Sequence, residues 1–539
     1  MSPLKTNALY YGDNLQILRD YVPDESIDLI YLDPPFNSNR SYNVLFKETS
    51  STASQAQIEA FEDTWHWGKV AQGTFEEIAL HGADSTARLL KAMVDALGHN
   101  DVTAYLTMMA VRLVELRRVL KPSGSLYLHC DPTASHYLKM LMDSIFDPHN
   151  FRNEITWQRT NVHNDAKRWG TVADTLLYYG KTQDVTWNTP RVPHTESHVA
   201  SKYTHDDGDG RGAYMLDNMT SPNPRPNMMY EWKGHASPPY GWRYSRETMA
   251  KLDAEGRVWY PPSTNRRPRL KRYLNEMAGS AMNSIWTDIA PINSQARERL
   301  GYPTQKPLAL LERIITASSN PGDIVLDPFC GCGTAIHAAH KLGRQWIGID
   351  ITHLAIGLVR RRMEDAFTGL KIEVVGEPVD LSGARELAAH DPYQFQWWAL
   401  DKIDAQPVGD KRKGMDRGID GIIPFLESRT DRKRAIVSVK GGSISSKDIR
   451  DLKGVLEREG EPLGVLLTLR PPTREMKLEA VAAGHYESPL MGRKYPRIQI
   501  LTIADILNGE RVELPLRPNV FAQAERERGQ EGEQGTLTV

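Results

Sequence analysis

The chain has 539 residues, 25% of them charged and 40% hydrophobic, and its 66 basic and 68 acidic side chains leave a net charge of −2. At roughly 150 residues per domain this predicts two to four domains with a sizeable core, and it excludes a wholly disordered chain or a globally basic nucleic-acid binder, though not a local basic stripe. No apolar run approaches the ~20 residues that span a bilayer, and the first thirty residues hold no apolar signal core, so neither a membrane protein nor a secreted one is expected. The three cysteines, Cys130, Cys330 and Cys332, make no disulfide framework and no zinc knuckle, and a reducing, cytoplasmic location is expected.

In chain order, Asn7-Ala-Leu-Tyr-Tyr11 predicts a short strand, and Gly12-Asp13-Asn14 leads into a helical apolar pattern at Leu15 and Leu18. Ser26-Ile-Asp-Leu-Ile-Tyr-Leu32 predicts a buried strand that must stop at Asp33-Pro34-Pro35-Phe36, because two prolines cannot continue a sheet ladder. A helix is predicted over 105–120, a turn at Lys121-Pro-Ser-Gly124 and a strand at Ser125–His129. Strands separated by helices point to a parallel α/β sheet. From 188 to 284 the sequence turns Pro-, Gly-, Trp- and Arg-rich without periodicity, which predicts an insertion. The α/β pattern resumes with a helix at Pro307–Asn320, a strand at Asp323–Asp327, a helix at 335–341 and a strand at Gln345–Asp350. The domains expected are therefore the two halves of one sheet, 1–187 and 285–385, the insertion 188–284, a smaller α/β domain 391–516 and a disordered tail 517–539.

Two motifs carry chemistry. In Asp327-Pro-Phe329-Cys-Gly331-Cys-Gly333-Thr334 the glycines are expected to let the backbone approach a ligand at a helix N-terminus, and Asp350 ends the next strand at the distance expected of a carboxylate that grips ribose hydroxyls. A third glycine is missing, which argues for a nucleoside ligand without pyrophosphate rather than a dinucleotide. In Asp33-Pro34-Pro35-Phe36, an exocyclic amine would donate one proton to Asp33 and the other to the Pro34 carbonyl, which sharpens its lone pair for attack on a methyl group. Phe36 would stack on the base once the base had left the duplex.

Together these motifs resemble the DNA amino-methyltransferases that modify adenine N6 or cytosine N4. Their order along the chain resembles the β class, and the similarity to the modification subunits of type III restriction systems extends to Tyr230-Glu-Trp-Lys-Gly234 and Gly241-Trp-Arg-Tyr244. The resemblance covers residues 5–370 and implies a doubly wound, Rossmann-like α/β sheet with S-adenosylmethionine at the carboxyl ends of its strands. It also implies cofactor contacts from Asp13, Lys306 (in Gln305-Lys306-Pro307), Asp327, Phe329, Gly331, Gly333, Thr334 and Asp350, and catalysis by the 33–36 loop without a metal. Asp rather than Ser at position 33 leans toward adenine, with cytosine N4 as the alternative. Double-stranded DNA is the implied partner, with a homodimer and a restriction-system partner as further expectations and no membrane.

The insertion corresponds in position to that family's target-recognition region. Between 257 and 273 it carries Arg257, Arg266, Arg267, Arg269, Lys271 and Arg272 with no acidic residue, interleaved with Trp259, Tyr260 and Tyr273. Arginines suit phosphates and guanine edges, and the aromatics would stack on bases. His205–Arg211 lacks the closing Glu of a calcium loop and is read as a polar turn, and His129 as a structural histidine. The carboxyl-terminal domain resembles the Mrr-like branch of the PD-(D/E)xK nuclease fold in Gly418-Ile-Asp420-Gly421 and Ala435-Ile-Val-Ser438-Val-Lys440. Its candidate nuclease set is Asp420, Ser438 and Lys440 with Mg²⁺. Ser438 stands where a metal-binding acid is required, so either Asp416 or Glu427 supplies the ligand and the single chain both cuts and modifies DNA, or the nuclease fold is retired.

Overall fold

The computed structural model describes residues 4–35, 67–132, 134–161, 169–192, 194, 196–277 and 279–516, apart from 82, 294–295, 297, 300–304, 409–417 and 429–430. Nine strands form one mixed sheet: β1 Ala8–Tyr11, β2 Ile27–Leu32, β3 Leu120–Cys130, β4 Phe151–Gln158, β5 Ala173–Gly180, β6 Ile285–Trp286, β7 Ile324–Asp327, β8 Gln345–Asp350 and β9 Glu373–Val375. Their order is β6-β4-β5-β3-β2-β7-β8-β1-β9. The run from β3 to β9 is parallel throughout, while β5 is antiparallel to both β3 and β4. Six helices position the site: α1 Asn14–Tyr21, α2 Asp101–Val119, α3 Leu308–Ser318, α4 Thr334–Lys341, α5 His353–Ala366 and α6 Pro392–Asp401.

The expected strands at the sheet centre appear within a residue or two of their predicted bounds, except that β3 runs further, because each is a short apolar run buried on both faces. Along β2, Ile27, Ile30 and Leu32 enter one core while Leu29 and Tyr31 enter the other. Helix starts follow side-chain chemistry. Asp13 accepts from the Leu15 amide at the start of α1, Asn100 and Thr103 form a capping box before α2, and Thr352 caps α5. The antiparallel pair β4–β5 and the helices Lys69–His81, Asp84–Leu97 and Ser135–Phe146 are additions to the elements predicted above. β4 mixes Arg152, Asn153 and Glu154 with apolar residues, and only its second half, with Ile155 and Trp157, is buried.

Thr189–Asn283 forms a compact unit separate from the rest. Within it, Arg269–Tyr273 is the central strand of an antiparallel triplet with Tyr214–Asn218 and Val258–Trp259. Its small core gathers Met219, Trp232, Trp242, Met249, Val258 and Leu270. Toward the carboxyl end, β10 Gln406–Pro407, β11 Gly421–Leu426, β12 Arg432–Lys440, β13 Leu463–Thr468 and β14 Ile498–Thr502 make a second sheet in that order, antiparallel as far as β12 and parallel beyond. Phe36, Asp416 and the tail 517–539, each given a role above, lie outside the described residues. No helix among the described residues is long and apolar enough to cross a membrane.

Candidate active site

Four adjacent parallel strands, β2, β7, β8 and β1, end on the same edge of the sheet, the edge where such sheets bind ligands. That shared direction brings Asp33, Asp327, Asp350 and Asp13 to one rim although they are scattered over more than 300 positions of sequence. The register Val325↔Leu29 and Leu326↔Ile30 sets the 327–333 loop directly beside the 33–35 loop. The two sequence motifs are therefore one site.

Lys306, expected to contact the cofactor, lies against the carboxylate of the 33–35 loop. Its ammonium pairs with Asp33 Oδ2, and both side chains are largely buried, at 14% and 18% exposure. A carboxylate so held keeps its other oxygen for a hydrogen-bond donor. Behind Asp33, the Tyr31 hydroxyl meets His129 Nδ1 at 3.0 Å, and His129 Nε2 meets Asp174 Oδ2 at 3.1 Å. Burial pushes Asp174 upward, but the His129 bond and the charges of Lys306 and Arg159 outweigh it, so the carboxyl sits below its usual range. His129 is thus a buried structural histidine with both ring nitrogens engaged, as the sequence suggested.

The cofactor loop is built as much by packing as by ligand access. Gly333 has φ +75° at the cap of α4, and a Cβ there would lie 2.7 Å from Val359, so the approach of α5 requires its small size. The Thr334 hydroxyl is also turned inward, 3.3 Å from Arg362 Nη1. Arg362 donates in addition to the Cys332 carbonyl at 2.9 Å, and Phe329 packs partly against the core. Gly331, at φ +49°, keeps the ligand role open and gives its amide to Asp350 Oδ2 at 3.1 Å. Asp350 Oδ1 accepts from both the amide and the hydroxyl of Thr352. Burial pushes Asp350 up to about 6 against these bonds, and pushes Asp327 up to about 8 with help from Asp33 and Asp350. Asp13 is spent on capping α1 and on Arg112, at 2.8 Å.

Asn14, the last residue of Gly12-Asp13-Asn14, and Tyr11 before it complete the rim. The amide of Asn14 donates to the Pro328 carbonyl at 2.8 Å, and its Oδ1 accepts from Arg112 Nε, which fastens the start of α1 to the cofactor loop. Tyr11 stacks on His353 with ring centroids 3.6 Å apart. A buried Asn immediately after Gly-Asp was the available signal. Four carboxyls meet at the rim: burial raises Asp327 and Asp350, while Lys306 pairs with Asp33 and Arg112 with Asp13. Carboxyl oxygens are acceptors, which suits a ligand carrying ribose hydroxyls, such as S-adenosylmethionine.

The sequence profile described as DNA methylase (N6_N4_Mtase) matches residues 27–359, which includes every strand end of this rim except that of β1. The chain belongs to the DNA methylase family. It is similar to the type II methyltransferase M.EcaI of Enterobacter cloacae, 30% identical over 66% of this chain and 69% of the relative. It is also similar to the DNA adenine methyltransferase YhdJ of Escherichia coli, 26% identical over 67% of this chain and 84% of the relative. The Mod subunit of the type III enzyme StyLTI of Salmonella typhimurium is 24% identical over 63% of this chain, which spans half of that subunit. As a member of the N6/N4 DNA methylases the chain is an S-adenosylmethionine-dependent DNA methyltransferase.

A second profile, described as NACHT-associated inactive Restriction Endonuclease 1, matches residues 393–507. The nuclease-like fold expected from Asp420 and Lys440 is therefore present, in a family described as inactive. Asp420 is buried, and its Oδ2 accepts from the Val439 amide at 2.8 Å and from Ser438 Oγ at 3.3 Å. Lys440 faces Asp448 at 3.9 Å. Glu427 does not supply the missing ligand. It follows β11 at the end opposite Asp420, roughly 20 Å away at about 3.3 Å per residue, and accepts from Tyr486. Among the described residues no cluster of His, Cys, Asp or Glu is arranged to hold a metal ion.

In the insertion, the acid-free stretch 257–273 finds acids from elsewhere in the unit. Arg257 pairs with Glu276, Lys271 with Asp207 and Arg272 with Asp217. Asp207 belongs to the polar turn, where Asp209 pairs instead with the neighbouring Arg211. Tyr273, expected to stack on bases, is buried against Tyr214, and the Tyr260 hydroxyl is bound to Asp253 and Trp232. Arg266, Arg267 and Arg269 remain exposed.

Proposed function

We propose that the protein methylates adenine N6 at a specific sequence in double-stranded DNA, with the target base flipped out of the duplex to the 33–36 loop. The observation that carries this reading is the placement of Asp33 at the end of β2 beside the cofactor loop on β7, with Lys306 occupying one carboxylate oxygen. Asp33 Oδ1 and the Pro34 carbonyl then accept hydrogen bonds from the amine, and Phe36 covers the base. S-adenosylmethionine would supply a methyl on a sulfonium: the amine forms the N–C bond, the C–S pair stays on sulfur, and the surplus amine proton passes along its hydrogen bond to Asp33 Oδ1 and on to solvent. Asp350 grips the ribose. Catalysis is positioning and polarisation, with no group of the chain bonded to substrate. Exposed Arg266, Arg267 and Arg269 contact phosphates or guanine edges and set the recognition site.

The domain limits 1–187, 188–284, 285–385 and 391–516 go with this reading, as do a cytoplasmic location, a homodimer and a restriction-system partner. The kinship with Mod subunits supports the last of these. Purified protein incubated with S-adenosylmethionine and unmethylated plasmid should yield N6-methyladenine on nucleoside mass spectrometry. N4-methylcytosine would overturn the base assignment, and the absence of any modified base would overturn the reading.

A further inference from the structure

The segment matched by the inactive restriction-endonuclease profile begins with α6, and α6 grips α5, the helix that follows the cofactor carboxylate. Asp401, buried at the end of α6, takes both Arg360 and Arg361 of α5 at 2.5 Å. The two helices are close enough that a Cβ at Gly357 would lie 2.4 Å from Asp401 Oδ1. Two turns earlier on α6, Gln394 Oε1 accepts from the His353 amide at 3.1 Å, and both residues are buried. That amide is one of the donors a helix start leaves unpaired. His353 follows Thr352, whose amide and hydroxyl hold Asp350, and its ring stacks on Tyr11, the residue before Gly12. Lys402, just past α6, binds Glu377 at 2.7 Å, and Glu377 faces His353 Nδ1 at 3.7 Å. Gly12 in turn gives its amide to the Asp350 carbonyl at 3.0 Å.

We infer that α6, through Gln394 and Asp401, is a positioning element of the methyl-donor site: the retired nuclease fold serves methyl transfer by fixing the α5 start that aims Asp350 and Tyr11. Two walls of the cofactor rim, the ends of β8 and β1, meet at His353, and His353 is held from α6. This role for α6 rests on the assignment of the rim around Asp350 as the cofactor site. Neither Gln394 nor Asp401 is assigned a contact with the cofactor; each acts through α5.

The test uses the full chain and isothermal titration with S-adenosylmethionine, together with steady-state kinetics on DNA. Gln394→Ala and Asp401→Asn should each raise the cofactor Kd and KM by about tenfold, the loss expected for one buried hydrogen bond or ion pair. At saturating cofactor, kcat should stay within about twofold of the parent, and the KM for DNA should be unchanged. Asp401→Glu should recover most of the affinity. Unchanged cofactor affinity in well-folded Gln394→Ala and Asp401→Asn would overturn the inference, as would a loss confined to kcat. Circular dichroism screens the variants, and if Asp401→Asn fails to fold, Gln394→Ala decides alone. Asp350→Ala separates the two readings. If it binds cofactor normally, the site assignment has failed. If it loses binding while the α6 variants bind normally, only the inference has failed.

Discussion

Lowering the pH from 7 to 5 should weaken S-adenosylmethionine binding by about tenfold, through Asp350. Burial raises this carboxyl to about 6, against hydrogen bonds from Thr352 and Gly331 that favour its ionised form. It grips ribose hydroxyls as an acceptor, so the competent form is the carboxylate. With a value near 6, roughly nine-tenths of the molecules carry it at pH 7 and roughly one-tenth at pH 5. The sign follows from the raised value: protonation favours the ligand-free folded state at low pH, and affinity returns as pH rises through about 6 and then levels off. Asp327, held at about 8, stays neutral across this window and adds no slope. Titration calorimetry at half-unit steps between pH 5 and 7 measures the effect directly. In Asp350→Asn the affinity should be low and flat with pH. A flat profile in the parent protein, or a parallel profile in Asp350→Asn, would refute the assignment of Asp350 as the ribose acceptor.

Other perturbations separate the remaining roles. Asp33→Ala should cut single-turnover methyl transfer by more than about 10³-fold while calorimetry shows cofactor binding within a few-fold, because the amine's acceptor is lost and Asp350 is untouched; transfer within tenfold of the parent would contradict the role. Lys306→Met should lower stability to urea by about 3 kcal/mol, since it leaves a largely buried carboxylate unpaired, and the double variant with Asp33→Ala should recover part of that loss. His129→Phe strands the Tyr31 hydroxyl and leaves Asp174 with Arg159 as its partner, and should cost about 2–3 kcal/mol in the same assay, whereas a cost under 0.5 kcal/mol would show the chain of bonds to be incidental. Replacing Arg266, Arg267 and Arg269 by alanine should reduce the slope of log affinity for DNA against log salt by about 0.9 for each phosphate that is no longer neutralised. Lys271→Ala should instead leave the slope alone and destabilise the fold, because its charge is already answered by Asp207.

The sequence by itself determined the central strands, the two motifs and the order in which they occur. Each central strand is a short apolar run, and all but β8 are closed by Asp-Pro or by a glycine turn, chemistry that is local. The Asp-Pro-Pro that stops β2 and the glycine turn after Asp327 would stop a strand in any context, so their positions can be read without the fold. The tertiary structure alone decided what these ends do for one another. Lys306 is 273 residues from Asp33, and no local pattern could say that its ammonium would pair with that carboxylate. Gly333 and Thr334 looked like ligand contacts because a glycine turn before a helix looks the same whether a ligand or a neighbouring helix fills the space. Only the tertiary structure places Val359 and Arg362 of α5 against them. The basic stretch of the insertion misled for a similar reason: its acidic partners, Asp207, Asp217 and Glu276, lie outside the window in which charge was counted. Ion pairing and burial act through space, and a chain reveals them only after the sheet has brought distant strand ends to a common edge.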